Sequence, residues 1–260
     1  MKKIATLIMT ALLLLTSVFA FTACGNGNES AITDGKLTVG YTIYAPMNYF
    51  DEDNNNEFVG FDTELAKAFC EEIGVEVEFK EINWDNKFID LESKAIDCIW
   101  NGMTITEEAK EKTAVSDAYL ENKQVVVCRA ADILKYTTKQ SILNATSVAF
   151  EGGSAGEKAA VAVGVPEAKQ NKATAQRDTL LEVKTSASDI AIIDLTMAKV
   201  LVGPGTSYSD LVYVDVGFDI EEFGVAFRKS DAGLAKAFDL FVKMSKQDLS
   251  FAALQLKYFS

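Results

Sequence analysis

Two periods of apolar and polar residues take turns along this chain. Lys36-Leu37-Thr38-Val39-Gly40 alternates as a half-buried strand does. Residues 62–73 place Leu65, Ala66, Phe69, Cys70 and Ile73 at helical spacing ahead of Gly74, a C-terminal stop. Val75-Glu76-Val77-Glu78-Phe79 returns to the two-residue period. A helix is predicted over 88–94, a strand over 96–100 and a helix from Thr106. The same grammar restarts after Tyr119, with strands over 124–128, 147–150 and 189–193, a helix opened by Ser154 and another over 195–201. A last strand, Gly224-Val225-Ala226-Phe227, precedes amphipathic helices over 233–244 and from Leu249. The pattern leaves open whether these helices finish the second unit or return to the first. Alternating strands and helices predict an α/β fold with mostly parallel strands and ligands bound beyond the strands' carboxyl ends; the restart predicts two lobes.

The first 23 residues follow neither period. Met1-Lys2-Lys3 is a basic head, residues 4–21 are almost wholly apolar, and Thr22 and Ala23 lead into Cys24, which predicts a signal peptide and not a membrane span. Phe21-Thr22-Ala23-Cys24 resembles the lipobox of bacterial prolipoproteins, with Phe21 in place of the usual aliphatic residue. The resemblance implies lipidation of Cys24; ordinary cleavage with a free thiol is the alternative. Residues 24–34 read as a polar tether between the lipid and a folded domain.

Charge and composition then exclude several classes. The chain has 25 Lys and Arg against 38 Asp and Glu; since Lys2 and Lys3 are the only charges before Cys24, the mature chain keeps 23 against 38, a net charge of −15. Such an acidic surface, with no basic tract, argues against nucleic acid and against direct adhesion to anionic lipid. Histidine is absent. Cys70, Cys98 and Cys128 sit in apolar stretches without a C-x-x-C spacing, and buried small hydrophobes are the preferred reading over a Cys70–Cys98 disulfide. Nothing supports zinc, a catalytic thiol or a cofactor.

Seven features occur in order along the chain: Leu37-Thr38-Val39-Gly40, Pro46, Val59-Gly60-Phe61-Asp62, Asn101-Gly102-Met103-Thr104-Ile105-Thr106, Val115-Ser116-Asp117-Ala118-Tyr119, Ile193-Asp194 and Phe223-Gly224-Val225-Ala226-Phe227. Together they resemble the polar amino-acid-binding proteins of bacterial ABC importers, the extracellular solute-binding proteins of family 3, over residues 35–260. The resemblance implies a type II periplasmic-binding-protein fold: two lobes with parallel or mixed sheets, joined by a two-strand hinge near Glu121 and Asp219. Lobe 1 is then discontinuous, 35–120 plus 222–260, and lobe 2 is 121–221. A monomeric, lipid-anchored, extracytoplasmic protein is implied, one that takes an amino acid or related amine to an ABC permease and catalyses nothing. A dehydratase-like enzyme on the same fold is the rival, disfavoured because no nucleophile is paired with a base.

An ammonium needs a carboxylate, and Asp194 ends an apolar strand where the family places its ammonium-binding Asp; the plainer reading is a cap for the helix at Leu195. The Gly102 carbonyl and Thr104 match further polar contacts of the family. A carboxylate needs donors, and Glu151-Gly152-Gly153-Ser154-Ala155-Gly156-Glu157 supplies a helix N-terminus at Ser154 and Ala155 with the Ser154–Glu157 spacing of a capping box. Glu151 is a second candidate acid. Tyr44 and Trp84 match the family's aromatic platform, with Tyr41 and Trp100 behind them because strand alternation leaves their facing open. Where the family pattern Thr-Ile-Thr-x-x-Arg sets a carboxylate-gripping Arg, this chain has Ala109. Lys110 is one residue further round a helix, pointing about 100° away. The expectation is therefore divided between a carboxylate-free amine or other cation, a substitute donor such as Lys110, and an altered copy with weakened amino-acid binding.

Overall fold

The computed structural model describes Ile32 and residues 35–260. The signal peptide over 1–23, the Cys24 lipid and most of the 24–34 tether lie outside the described residues. In chain order the elements are β1 (Lys36–Tyr41), β2 (Tyr49–Asp51), β3 (Glu57–Val59), α1 (Phe61–Ile73), β4 (Glu76–Glu81), α2 (Lys87–Glu92), β5 (Cys98–Thr104), α3 (Glu107–Lys112), β6 (Ala114–Val115) and β7 (Leu120–Arg129). They continue with β8 (Val148–Glu151), α4 (Ala155–Val163), β9 (Gln170–Ala173), α5 (Asp178–Lys184), β10 (Ile190–Asp194), α6 (Leu195–Leu201), β11 (Leu211–Val214), β12 (Ile220–Phe227), α7 (Ala232–Gln247) and α8 (Ser250–Phe259).

The strands run in the order β4-β1-β5-β12-β7-β10-β8-β9, with β6 on β12 and β11 on β7, while β2 and β3 form a separate hairpin. At each end the pairs are parallel, β1 with β4 and β5, and β8 with β10 and β9. In the middle they are antiparallel. Residues 223–227 of β12 pair with β5 and residues 220–223 with residues 120–123 of β7, which goes on through residues 124–128 to pair with β10. Two long strands thus carry the chain between two half-sheets, as the type II fold requires, and hydrogen bonds run unbroken across the join. β7 begins at Leu120, earlier than its apolar run predicts. The partner β12 satisfies the backbone of Glu121-Asn122-Lys123, so the ladder holds this polar stretch extended without apolar burial.

The C-terminal helices return to the first half. Phe238 of α7 lies edge-on to Trp100 at 4.7 Å between ring centroids and to Phe69 at 5.5 Å, and Phe251 of α8 lies edge-on to Phe61 at 5.4 Å. Edge-to-face rings at these distances add attraction to the area they bury. Cys70, Cys98 and Cys128 are buried and free, behaving as small apolar residues.

Candidate functional site

Glu151 and Asp194 end the parallel neighbours β8 and β10, so both acids emerge at the same sheet edge, where α/β folds bind ligands. Asp194 is buried at 4 % exposure, and its side chain makes no capping bond to α6. Three amides hold it instead. Asn122 Nδ2 and Gln124 Nε2 donate to Oδ1 at 2.5 and 2.6 Å, and Gln176 Nε2 donates to Oδ2 at 2.8 Å, while Gln176 Oε1 accepts the Asp194 N–H at 2.7 Å. Asn122 and Gln124 are two apart on β7 and therefore share one face. Burial lifts the Asp194 carboxyl above its ordinary pKa, and the amide donors pull it back. Glu151 is buried too, its Oε1 3.2 Å from the Thr42 hydroxyl. Burial first, and then the charge of Asp194, push its pKa up to about 8.

The facing wall comes from the first half. Tyr44 and Trp84 are buried against the cleft, which Gly102, Thr104, Ser154, Ala155, Glu151 and Asp194 also line. The Tyr44 hydroxyl is under the electrostatic influence of Asp194, yet it makes no hydrogen bond of regular geometry among the described residues. Between the pairs Gly224↔Met103 and Ala226↔Ile99 the register of β5 slips, and Gly102 within the bulge has φ +56°. A Cβ there would stand 2.9 Å from the Tyr44 ring, so the position needs glycine on both counts. The Gly102 N–H turns inward and donates to Asp62 Oδ2 at 2.6 Å.

Two lysines reach this space. Lys87 Nζ donates to the carbonyls of Trp84 at 3.1 Å and Gly153 at 2.7 Å, tying α2 to the start of α4, and it lies over the Trp84 and Phe88 rings. Burial lowers its pKa to about 8. Lys158 of α4 also lines the cleft and pairs with Glu108 at 2.8 Å.

Tyr41, Trp100 and Ala109 do not line the cleft. Tyr41 packs on Phe58 and Phe79, and Trp100 is in the core against Phe69 and Phe238. Strand alternation would put Trp100 and Gly102 on one face, but the bulge between them separates their directions. Ala109 is 1 % exposed among Ile96, Ile99 and Met103. Lys110 points outward and pairs with Glu107, so the neighbour of Ala109 takes no place in the cleft. Ser154 caps α4 by accepting the Glu157 N–H at 3.2 Å, but Glu157 answers with the Gly153 N–H at 2.7 Å and not that of Ser154, so the capping box is half formed. Asn122, Gln124, Gln176, Lys87 and Lys158 went unread in the sequence. The pair Asn122 and Gln124, two polar amides leading into the apolar run 125–128, was the one available signal.

The raised carboxyls fix a pH dependence. Asp62, which accepts from Gly102 N–H and from the Tyr119 hydroxyl, is pushed to about 7 by burial. Both Asp62 and Glu151 hold protons in the folded chain that the unfolded chain has released, so stability of the unliganded protein falls as pH rises from about 4 toward about 8. Scanning calorimetry across that window is expected to show a falling Tm, with Glu151→Gln flattening its upper part; a Tm that rises through the window contradicts the assignment.

Comparison with known proteins agrees with this architecture. The chain is 29% identical over 268 residues, all of this chain and 99% of the relative, to the arginine-binding extracellular protein ArtP of Bacillus subtilis. Among solved structures it resembles a mutant of the arginine-binding protein ArgBP of T. maritima, with 30% identity, TM-score 0.78 and coverage of 86% of this chain and 95% of that one. It also resembles the ancestral amino acid-binding protein AncCDT-1, a precursor of cyclohexadienyl dehydratase, with 31% identity, TM-score 0.77 and coverage of 87% and 96%. The profile of the bacterial extracellular solute-binding proteins, family 3, matches residues 37–260, and with its two half-sheets, shared strands and cleft at the strand ends, the chain belongs to that family.

Proposed function

We propose that this protein captures an amine-bearing solute, an amino acid foremost, between its two halves, presents it to the permease of an ABC importer, and performs no chemistry on it. The observation that carries the reading is the pair of buried acids, Glu151 and Asp194, at one edge of the cleft. A ligand ammonium entering there supplies the charge that burial denies both carboxylates. Tyr44 and Trp84 would bracket its aliphatic part, with the buried Tyr44 hydroxyl, a donor and an acceptor, beside Asp194. Relatives that bind arginine support an amino acid as the ligand.

Residues 35–120 with 222–260 and residues 121–221 act as the two lobes, closing about β7 and β12 when a ligand touches both. The likeness to a dehydratase precursor makes chemistry the rival. The Thr42 hydroxyl that meets Glu151 does not line the cleft, and the chain has no histidine. Lipidation at Cys24 would hold a monomer on the extracytoplasmic side of the cell membrane.

A thermal-shift screen tests the reading, since a ligand that binds the folded chain raises its apparent stability. Amino acids, polyamines and choline-like cations are compared with neutral and anionic metabolites. A shift confined to compounds with a cationic nitrogen is expected; a shift by amine-free acids or sugars contradicts it, and product formation from a binding compound contradicts the transport role.

A further inference from the structure

We infer that Lys158, on the lobe opposite residue 109, is the anchor for the ligand's carboxylate, and that the solute is therefore a zwitterion and not a carboxylate-free amine. The inference rests on amine capture by Glu151 and Asp194 and adds the other end of the ligand.

Geometry carries it. Lys158 Nζ stands 3.4 Å from Thr106 Oγ1, and the same hydroxyl accepts the Ala109 N–H at 3.1 Å. The ammonium thus ends at the first turn of α3, one hydroxyl away from the backbone of residue 109, although its chain starts on α4. Here it is bound at 2.8 Å to Glu108 Oε2, which holds Lys112 through its other oxygen at 2.9 Å. A carboxylate therefore already sits on Lys158, supplied by the protein. Around the ammonium, Thr104, Thr106 and Ala155 line both the cleft and a second cavity that adjoins it on the β12 side, and Lys158 lines both as well. The second cavity holds Lys139 together with two acids, Asp219 and Glu221.

Acids and a lysine line one cleft: Glu151 and Asp194, with Lys158. Lys87, the other cleft lysine, is committed to two carbonyls and two aromatic faces. Lys158 is half exposed and its present partner is a surface acid, so exchange of Glu108 for a ligand carboxylate swaps like for like.

The test uses matched pairs that differ by one carboxylate: arginine and agmatine, lysine and cadaverine, histidine and histamine. Affinities are measured by calorimetry for the wild type, Lys158→Met, Lys158→Arg and Glu108→Gln. The wild type is expected to prefer the amino acid of a binding pair by about tenfold or more, the scale of a hydrogen bond to a charged group. Lys158→Met should erase that preference while leaving the decarboxylated amine within about twofold, Lys158→Arg should restore it, and Glu108→Gln should widen it. A preference that survives Lys158→Met, or a wild type that favours the decarboxylated partner, overturns the assignment while amine capture stands. If neither member of any pair binds, amine capture itself fails, and this inference with it.

Discussion

Asp194→Asn is expected to weaken binding of the ligand amine by about 2–5 kcal/mol, the range for removing one partner of a buried charged pair. The substitution keeps the shape of the side chain and removes its charge. Asp194→Ala goes further, because it deletes the acceptor of three buried amide donors, from Asn122, Gln124 and Gln176. A buried donor left without a partner costs roughly 1–3 kcal/mol, so the alanine variant should lose stability as well as binding. Calorimetric titration of both variants beside denaturant unfolding separates the effects: a folded Asp194→Asn protein that has lost its ligand is the expected result. Retained affinity in that variant would take Asp194 out of the ammonium role and leave Glu151 alone with it.

Phe238→Ala should give the largest loss of stability, about 3–5 kcal/mol, by the combined transfer and cavity cost of truncating a buried Phe. Phe238 is fully buried and its ring meets Phe69, Trp100 and Tyr119 edge-on. Those rings come from α1, β5 and the approach to β7, so one truncation loosens the seam between the C-terminal helix and the first half-sheet. Urea unfolding followed by fluorescence measures it. Because Phe238 does not line the cleft, affinity at temperatures where the variant is folded should stay unchanged. A cost under about 1 kcal/mol would mean that α7 does not close this core.

These two expectations also mark how far the sequence could be read. Alternating periods located nearly every α-helix and long strand, because amphipathic burial leaves its period in the residue order. The order of strands left no trace in the residue periods, since β12 reaches β5 and β7 from about a hundred residues away. Asp194 and Glu151 could be picked out because each ends an apolar strand. Alternation left the facing of Trp100 open, and the register slip at residues 100–102 is why the two-residue period could not decide it; the ring lies in the core. The amide clamp was hidden for another reason. Gln176 lies on no periodic element, and its contact with Asp194 spans the cleft edge between separate segments. Lys158 was hidden likewise, being an ordinary exposed-looking lysine on α4 until the fold brings it to Thr106 and Glu108.

The central claim is that a cationic nitrogen is what the cleft holds. The most direct measurement is calorimetric titration of the protein with its tightest-binding amino acid and with the same compound acetylated on every amine. Acetylation removes the charge of each ammonium and keeps the rest of the ligand, so the account predicts saturable binding of the free amine and none of the acetylated form at concentrations about a hundredfold higher. Equal affinity for the two would contradict it and leave Glu151 and Asp194 without a role in recognition.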